Sequence, residues 1–243
     1  MSTQNLFDLE LERSRLFVLG KKNAHADVVA IQVVVRRAER FGIVIFEITG
    51  AGRGFCAGAD LTEFDFEPGP NLVERADPGP VIDQAFNPTT RRIQALRMPV
   101  IAAVNGVAAG AGASLALACD VAIAAPGAKF IQAFSKIGLV PDAGSSWFMP
   151  QRLGMARALA LAMTGDALPA AQAKDWGLIW EVADDCVTAA MDMAQRLAAM
   201  PTTALVATRH LLRDGLNRSL NQQLDAERDT QSAMGRTHDY WRA

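Results

Sequence analysis

Two apolar runs in the first half of the chain each lead into a turn of small residues. The runs at residues 43–49 and Val100–Val104 are rich in β-branched residues and Ala. Such runs are typical of parallel strands buried on both faces. The turns that follow, residues 50–60 and 105–113, consist largely of Gly and Ala, which permit close backbone approach. Two turns of this kind can direct two N–H groups at one oxygen atom, as an oxyanion hole requires.

Other segments alternate between helix and strand patterns. Residues 28–40 carry apolar residues on one side and charged residues at the end, which predicts a helix before the strand at residue 43. Residues 89–97, closed by Pro99, predict a second helix, a small-residue helix follows from Gly110, and residues 120–125 predict a strand. This alternation indicates an α/β protein with right-handed crossover connections.

The last third of the chain has a different pattern. Amphipathic segments predict an almost wholly helical region from residue 169 onward, with helices at residues 169–176, 187–200, 202–214 and 220–233. Between the first turn and the second strand, residues 63–80 combine acidic residues with Pro and Gly. That composition predicts a mobile loop able to cover a pocket.

Composition limits the classes of function. The 243 residues are half hydrophobic with a formal net charge of −2, which suits one core with a helical extension and argues against a broad nucleic-acid surface. Residues 1–15 are polar and charged, and no apolar run has the length of a membrane span, so we expect a cytoplasmic protein with no membrane partner.

The residues typical of metal and nucleophile sites are few. The three cysteines, Cys56, Cys119 and Cys186, stand singly without metal-ligand spacing, which predicts packed, reduced thiols and no metal site. The three histidines lie far apart in the sequence, and no nucleophile-elbow motif is present. A Ser-His-Asp arrangement is therefore disfavoured.

Three motifs together identify a family resemblance. Residues 50–60, 105–113 and 137–144 resemble, in order, the acyl-CoA loop, the start of the oxyanion-hole helix and the catalytic loop of the crotonase (enoyl-CoA hydratase/isomerase) superfamily. The resemblance runs from about residue 43 to about residue 239. It implies a spiral core of ββα turns at residues 1–185 and a carboxy-terminal helical trimerisation region at residues 186–243. It also implies an acyl-CoA substrate, no separate cofactor, and a homotrimer or homohexamer.

The resemblance also assigns roles to individual residues. The N–H groups of Ala59 and Ala111 match the two oxyanion-hole donors, and the amino end of the helix near Gly110 adds a favourable dipole. Further substrate contacts are implied at Ala57, Gly58, Asp60, Leu61, Gly110, Ser114, Phe134 and Leu139. From the residues alone, both small-residue stretches are equally compatible with close backbone packing.

The acids decide which reaction the resemblance implies. Hydratases of the family use two glutamates at positions that match Ser114 and Phe134, and neither residue supplies that chemistry. Asp142 occupies the position where the isomerases carry their single acid, and residues 128–142 and 173–185 resemble isomerases that move double bonds or open a ring epoxide. Phe134, Ile137, Leu139 and Trp147 are expected to surround Asp142. The alternative is that Asp142 is the N-cap of a helix at residues 143–152.

Both ends depart from the family pattern. Asn23 and Ala24 match part of the CoA site, Lys21 or Lys22 is a candidate for its phosphate contact, and residues 235–240 resemble the start of the last family segment without its usual tail. We expect weaker CoA binding from these departures. The sequence leaves three alternatives: an acyl-CoA isomerase, another crotonase-type hydratase or hydrolase, and a non-catalytic acyl-CoA binder.

Overall fold

A computed structural model describes residues 16–19, 31–38, 43–50, 52–59, 61 and 66–242 of the chain. In this part, the strands form a six-stranded sheet of order β1-β2-β3-β5-β7-β10 and a four-stranded sheet of order β4-β6-β8-β9. The strands are β1 Leu16–Leu19, β2 Ile31–Ala38, β3 Ile43–Gly50, β4 Gly54–Cys56, β5 Val100–Val104, β6 Val107–Ala109, β7 Val121–Ala124, β8 Lys129–Ile131, β9 Ala167–Pro169 and β10 Glu181–Val182.

The helices follow the strands in successive turns of a spiral. They are α1 Leu72–Arg75, α2 Gly79–Val81, α3 Asn87–Ala95, α4 Ala111–Ala118, α5 Ser145–Leu153, α6 Met155–Thr164, α7 Ala170–Asp175, α8 Cys186–Ala198, α9 Thr202–Gly215, α10 Leu220–Met234 and α11 His238–Trp241, with a π-helical segment at Ile82–Phe86 and a 3-10 helix at Ala133–Ile137. The pairs β3/β4, β5/β6 and β7/β8 each place their first strand in the larger sheet and their second in the smaller one. The predicted spiral of ββα turns is thus confirmed.

The predicted buried strands are confirmed. Strand β3 pairs with β5 in parallel, and β5 pairs with β7 in parallel. Every residue of β5 is fully buried: Val100, Ala102 and Val104 pack into the main core, whereas Ile101 and Ala103 pack against α8 on the opposite face. A strand covered on both faces has no polar position, which explains the continuous apolar run.

The helix predicted at residues 28–40 is wrong. Residues Ile31–Ala38 form β2, which pairs antiparallel with β3 along its whole length, from Ile31 opposite Gly50 to Ala38 opposite Ile43. The β-branched residues of this segment favour an extended backbone, and eight pairs with β3 outweigh its weak helical periodicity.

Other predictions hold in part. Helices α3, α4, α8, α9 and α10 lie at the predicted places. From residue 169 onward the described chain is almost wholly helical, as predicted, and it also contains the two-residue strand β10, which is parallel to β7. The segment predicted as a loop at residues 63–80 contains α1 and the first residues of α2.

Helix α9 is fixed to the core by an ion-pair cluster. Asp120 accepts from Arg209 at 3.1 Å and from Arg213 at 2.7 Å, and it also accepts from the Val100 N–H. Arg209 is buried and donates in addition to the carbonyl oxygens of Leu96 and Met98. These contacts join α9 to the segment between α3 and β5 and to the residue before β7.

The three cysteines are all buried and form no disulfide, and burial raises the pKa of each thiol. Among the residues that the structure describes, no helix combines the length and the apolar character needed to cross a membrane.

Candidate active site

A cavity of about 190 Å³ lies where the two small-residue turns meet the 3-10 helix and the segment after it. Its wall is almost entirely apolar. It is lined by Ala57, Gly58, Ala59, Leu61, Pro78, Val81, Ile82, Phe86, Ala109, Gly110, Ala111, Ala133, Phe134, Ile137, Leu139 and Asp142. Asp142 is the only polar side chain among these residues.

The first turn, which follows β4, lies directly against the second. Gly58 has φ 93°, a conformation that favours glycine, and a Cβ at this position would lie 3.2 Å from both Ala111 N and Ala109 O. The Gly58 N–H donates to Cys56 Sγ at 3.4 Å, which helps to fix the turn. Glycine is therefore required both by the backbone angle and by the close approach of the second turn.

The second turn begins a buried helix. Gly110, at φ 52°, precedes α4, and its N–H donates to Ile131 O at 2.9 Å. All residues of α4 are buried. The N–H groups of Ala59 and Ala111 have no acceptor within the described part of the chain, and both residues line the cavity. Two unused donors and the amino end of a helix favour a negative oxygen atom at this place.

Asp142 contributes the carboxyl group of the cavity. Its Oδ1 atom is buried and has no hydrogen-bond partner among the described residues. Burial raises the pKa of Asp142 above its usual range, and its own backbone N–H, which favours the charged form, offsets part of that rise. A carboxyl group with these properties is a candidate for proton transfer.

Asp142 is not a helix cap. Helix α5 begins at Ser145 after Gly144, and within the described residues no side chain forms a cap hydrogen bond at its amino end. The Ser145 N–H donates to the backbone oxygen of Asp142 rather than to its carboxylate. The N-cap interpretation of Asp142 is therefore wrong, and its carboxylate is left to face the cavity.

The loop after Asp142 has an unusual backbone, held by two hydroxyl groups. Ala143 has φ 50°, which is uncommon for a residue with a side chain. The Thr90 hydroxyl donates to Ala143 O at 3.0 Å, and the Ser114 hydroxyl donates to Asp142 O at 2.9 Å. Ser114 Oγ also lies 3.3 Å from Gly110 O, but its single proton is better placed for the shorter contact.

The structure brings most of the implied site residues to the cavity wall. Ala57, Gly58, Ala59, Leu61, Gly110, Ala111, Phe134, Leu139 and Asp142 all line it. Ser114, which the resemblance placed in contact with substrate, is instead fully buried and does not line the cavity. Trp147, which was also expected around Asp142, is not among the lining residues; it is 43% exposed and its ring meets Phe148 edge-on. Asp60, Lys21, Lys22, Asn23 and Ala24 lie outside the described residues.

Several lining residues were not predicted. Pro78 lies in residues 63–80, the segment predicted to cover a pocket, whereas Val81, Ile82 and Phe86 lie beyond it and bring the segment before α3 to the cavity. The apolar spacing of the last three after a Pro-rich stretch was the available signal, but it is too short to distinguish a cavity wall from a core helix. Thr90 had no signal in the sequence, because its partner lies 53 residues away.

Within the described ranges, no three His, Cys, Asp or Glu side chains come together in a way that fits a metal ion.

The family of the chain follows from this fold and from its similarity to known proteins. The sequence pattern of the enoyl-CoA hydratase/isomerase family matches residues 25–241, so the protein belongs to this family and has its crotonase fold. 1,2-Epoxyphenylacetyl-CoA isomerase of Escherichia coli (strain K12) is 48% identical over 196 residues, covering 79% of this chain and 73% of that protein.

Other relatives carry names of a different reaction. 2,3-Dehydroadipyl-CoA hydratase of the same strain is 33% identical over 199 residues, covering 81% of this chain and 74% of that protein. The crystal structure of an enoyl-CoA hydratase from Polaromonas sp. JS666 has a TM-score of 0.72 and 35% identity, covering 82% of this chain and 76% of that chain. Family membership alone thus does not distinguish hydration from isomerisation.

Proposed function

We propose that the protein is an acyl-CoA isomerase that uses Asp142 as its single acid and base. The observation that carries the proposal is the composition of the cavity. Asp142 is the one ionisable side chain among its described lining residues, and the Oδ1 atom of Asp142 has no hydrogen-bond partner in the described part of the chain. Hydration by the family mechanism needs two carboxylates. The matching positions hold Ser114, buried behind the loop, and Phe134, an apolar part of the wall.

The proposed reaction is a proton transfer through an enolate. The Asp142 carboxylate removes a proton from C2 of a 3-enoyl thioester, and the C–H electron pair moves to form a dienolate with negative charge on the thioester oxygen. The N–H groups of Ala59 and Ala111 donate to that oxygen. The protonated Asp142 then returns the proton to C4, which yields the conjugated 2-enoyl isomer. One oxyanion-hole donor typically contributes about 3–4 kcal/mol to such a step.

The wall of the cavity supports an apolar acyl group that contains an aromatic or a ring-derived unit. Phe86 and Phe134 lie on it together with Ile82 and Leu139. The identity with 1,2-epoxyphenylacetyl-CoA isomerase supports the same class of substrate. We therefore propose ring-1,2-epoxyphenylacetyl-CoA and linear 3-enoyl-CoA thioesters as the substrates to be tried.

The test is ultraviolet-monitored conversion of a 3-enoyl-CoA into its 2-enoyl isomer by the wild type and by Asp142→Asn. The asparagine keeps the shape of the side chain and removes the base, so we expect kcat to fall at least roughly 100-fold, within the usual range for general acid–base catalysis. Asp166→Asn is the matched control, since Asp166 is exposed and does not line the cavity.

The same preparations also distinguish the alternatives. If the enzyme instead added water across the double bond of a 2-enoyl-CoA, the absorbance of the conjugated thioester would be lost. That result would indicate hydration and would contradict the proposal. Binding of the thioester without turnover by a folded wild-type protein would indicate a non-catalytic acyl-CoA binder instead.

A further inference from the structure

The loop that carries Asp142 is held by two side chains from outside the loop. Thr90 belongs to α3 and Ser114 to α4, and their hydroxyl groups donate to the consecutive carbonyl oxygens of Ala143 and Asp142. Within the described residues, Ala143 O has no other donor, whereas Asp142 O also accepts from the Ser145 N–H. Ala143 is 2% exposed, so water does not replace Thr90 without a rearrangement.

The loop has a reason to need such contacts. Ala143 at φ 50° has a conformation that costs about 1–2 kcal/mol for a residue with a Cβ atom. Such a conformation persists only where the surrounding structure fixes it. The two hydroxyl bonds act on the peptide groups on either side of the Ala143 Cα, and the first of these groups is bonded to the Cα atom that carries the Asp142 side chain.

Both donors also belong to elements that form other parts of the cavity. Helix α4 begins at Ala111, one of the unused N–H donors, and Ser114 lies one turn further along it. Helix α3 continues directly from Ile82–Phe86, a segment whose Ile82 and Phe86 line the cavity. The two bonds therefore tie the acid to both the oxyanion-hole helix and the aromatic wall.

We propose that Thr90 and Ser114 are positioning residues, whose hydroxyl groups fix the Asp142 loop and thereby the direction in which the carboxylate enters the cavity. This inference rests on the proposed isomerase function. It gives a purpose to Ser114, at a position where the hydratases of the family carry a glutamate. The serine holds the acid of this chain instead of supplying a second one.

The kinetic test compares Thr90→Val, Thr90→Ser, Ser114→Ala and the double variant Thr90→Val/Ser114→Ala in the isomerase assay. Valine keeps the shape of threonine and removes the donor, whereas serine keeps the donor. Misplacement of a reacting group by about 1 Å can cost roughly 100-fold in rate. We expect a fall in kcat of roughly 10-fold for Thr90→Val and roughly 100-fold for the double variant, with KM changed less than about twofold.

Thr89→Val is the matched control. The Thr89 hydroxyl donates to Ala85 O, one turn earlier along the same helical segment, so its loss leaves the Asp142 loop untouched. Wild-type kcat in Thr89→Val and Thr90→Ser, with a loss in Thr90→Val, would support the proposal. Wild-type kcat in the double variant, or an equal loss in Thr90→Ser, would overturn it.

A second measurement does not depend on turnover. The Asp142 carboxyl carbon is labelled with ¹³C, and its NMR signal is identified as the one that Asp142→Asn lacks. The chemical shift of this signal is then followed through a pH titration. In the double variant the carboxylate should become more accessible to water. The midpoint of its titration should therefore fall toward that of an ordinary Asp carboxyl group. An unchanged midpoint would overturn the positioning role. If the wild type showed no turnover, only the proposed function would be contradicted. The titration would still show whether the two hydroxyl groups fix the carboxylate.

Discussion

At the scale of single residues, the central feature is a carboxyl group placed among apolar side chains. Phe134, Ile137 and Leu139 line the same cavity as Asp142 and offer it no hydrogen bond. Burial in such surroundings disfavours the charged form and raises the pKa. A carboxylate whose pKa is raised is a stronger base once it is ionised.

This shift predicts the pH dependence of the reaction. The carboxylate must be ionised to remove a proton, so kcat/KM should fall as the pH falls through the raised pKa of Asp142. We expect the acid limb of the kcat/KM profile to lie above the usual value of about 4 for an Asp carboxyl group. A limb at the ordinary value would show that burial does not control the base, and Asp142→Asn should lack this limb in its residual activity.

At the scale of elements, the two turns depend on close backbone contact. A Cβ at Gly58 would lie 3.2 Å from Ala111 N, in addition to requiring φ 93°. We expect Gly58→Ala to lower kcat roughly 100-fold by displacing a donor of the proposed oxyanion hole, and to lower the free energy of unfolding by about 1–3 kcal/mol.

The isomerase assay and urea denaturation of the same preparations check this expectation. Gly127→Ala is the control, because a Cβ there meets nothing within 4 Å and the backbone angle is ordinary. Full activity in Gly58→Ala would mean that the two turns do not act together.

The attachment of α9 gives a prediction about stability. Arg209 is buried and binds Asp120 together with two carbonyl oxygens, so Arg209→Met leaves those acceptors without their donor. We expect the free energy of unfolding to fall by about 2–3 kcal/mol, slightly below the range for a broken buried pair because Arg213 still binds Asp120.

Urea denaturation measures the effect of this change. In Arg218→Met, which removes an exposed pair with Asp214, the loss should be about 0.5 kcal/mol or less. Equal losses in the two variants would contradict a special role for the cluster at Asp120.

At the scale of the whole molecule, α9 and α10 leave large apolar side chains uncovered. Leu212, Leu216, Leu220 and Leu224 are between 53% and 74% exposed, at four-residue intervals from α9 through the connection into α10. Together with the family resemblance, this surface supports the prediction of a homotrimer or homohexamer.

The measurement is sedimentation equilibrium. We expect three or six times the mass of one chain, and a lower mass for Leu216→Glu, because a charge opposes burial of this surface. Asn221→Glu adds the same charge at an exposed polar position of α10 and should leave the mass unchanged. A wild-type monomer would contradict the prediction.

The comparison of sequence and structure shows which features are local. The strands β3 and β5 and the turns after them were predictable, because both strands are rich in apolar and β-branched residues and a close backbone contact requires small residues. Strand β2 was not, since its extended form depends on pairing with β3. The contacts of Thr90 and Ser114 also escaped prediction, because a hydroxyl group gives no sign in the sequence of the distant carbonyl that it will bind.

The spiral has a consequence for how activity is acquired. Ala59, Ala111 and Asp142 follow β4, β6 and β8, which belong to three successive turns of the chain, and each turn contributes one part of the site. A chain in which only one or two turns of the spiral have formed should therefore be inactive. Recovery of turnover after dilution from denaturant would report completion of the whole spiral, and it should lag behind any spectroscopic signal that follows a single turn.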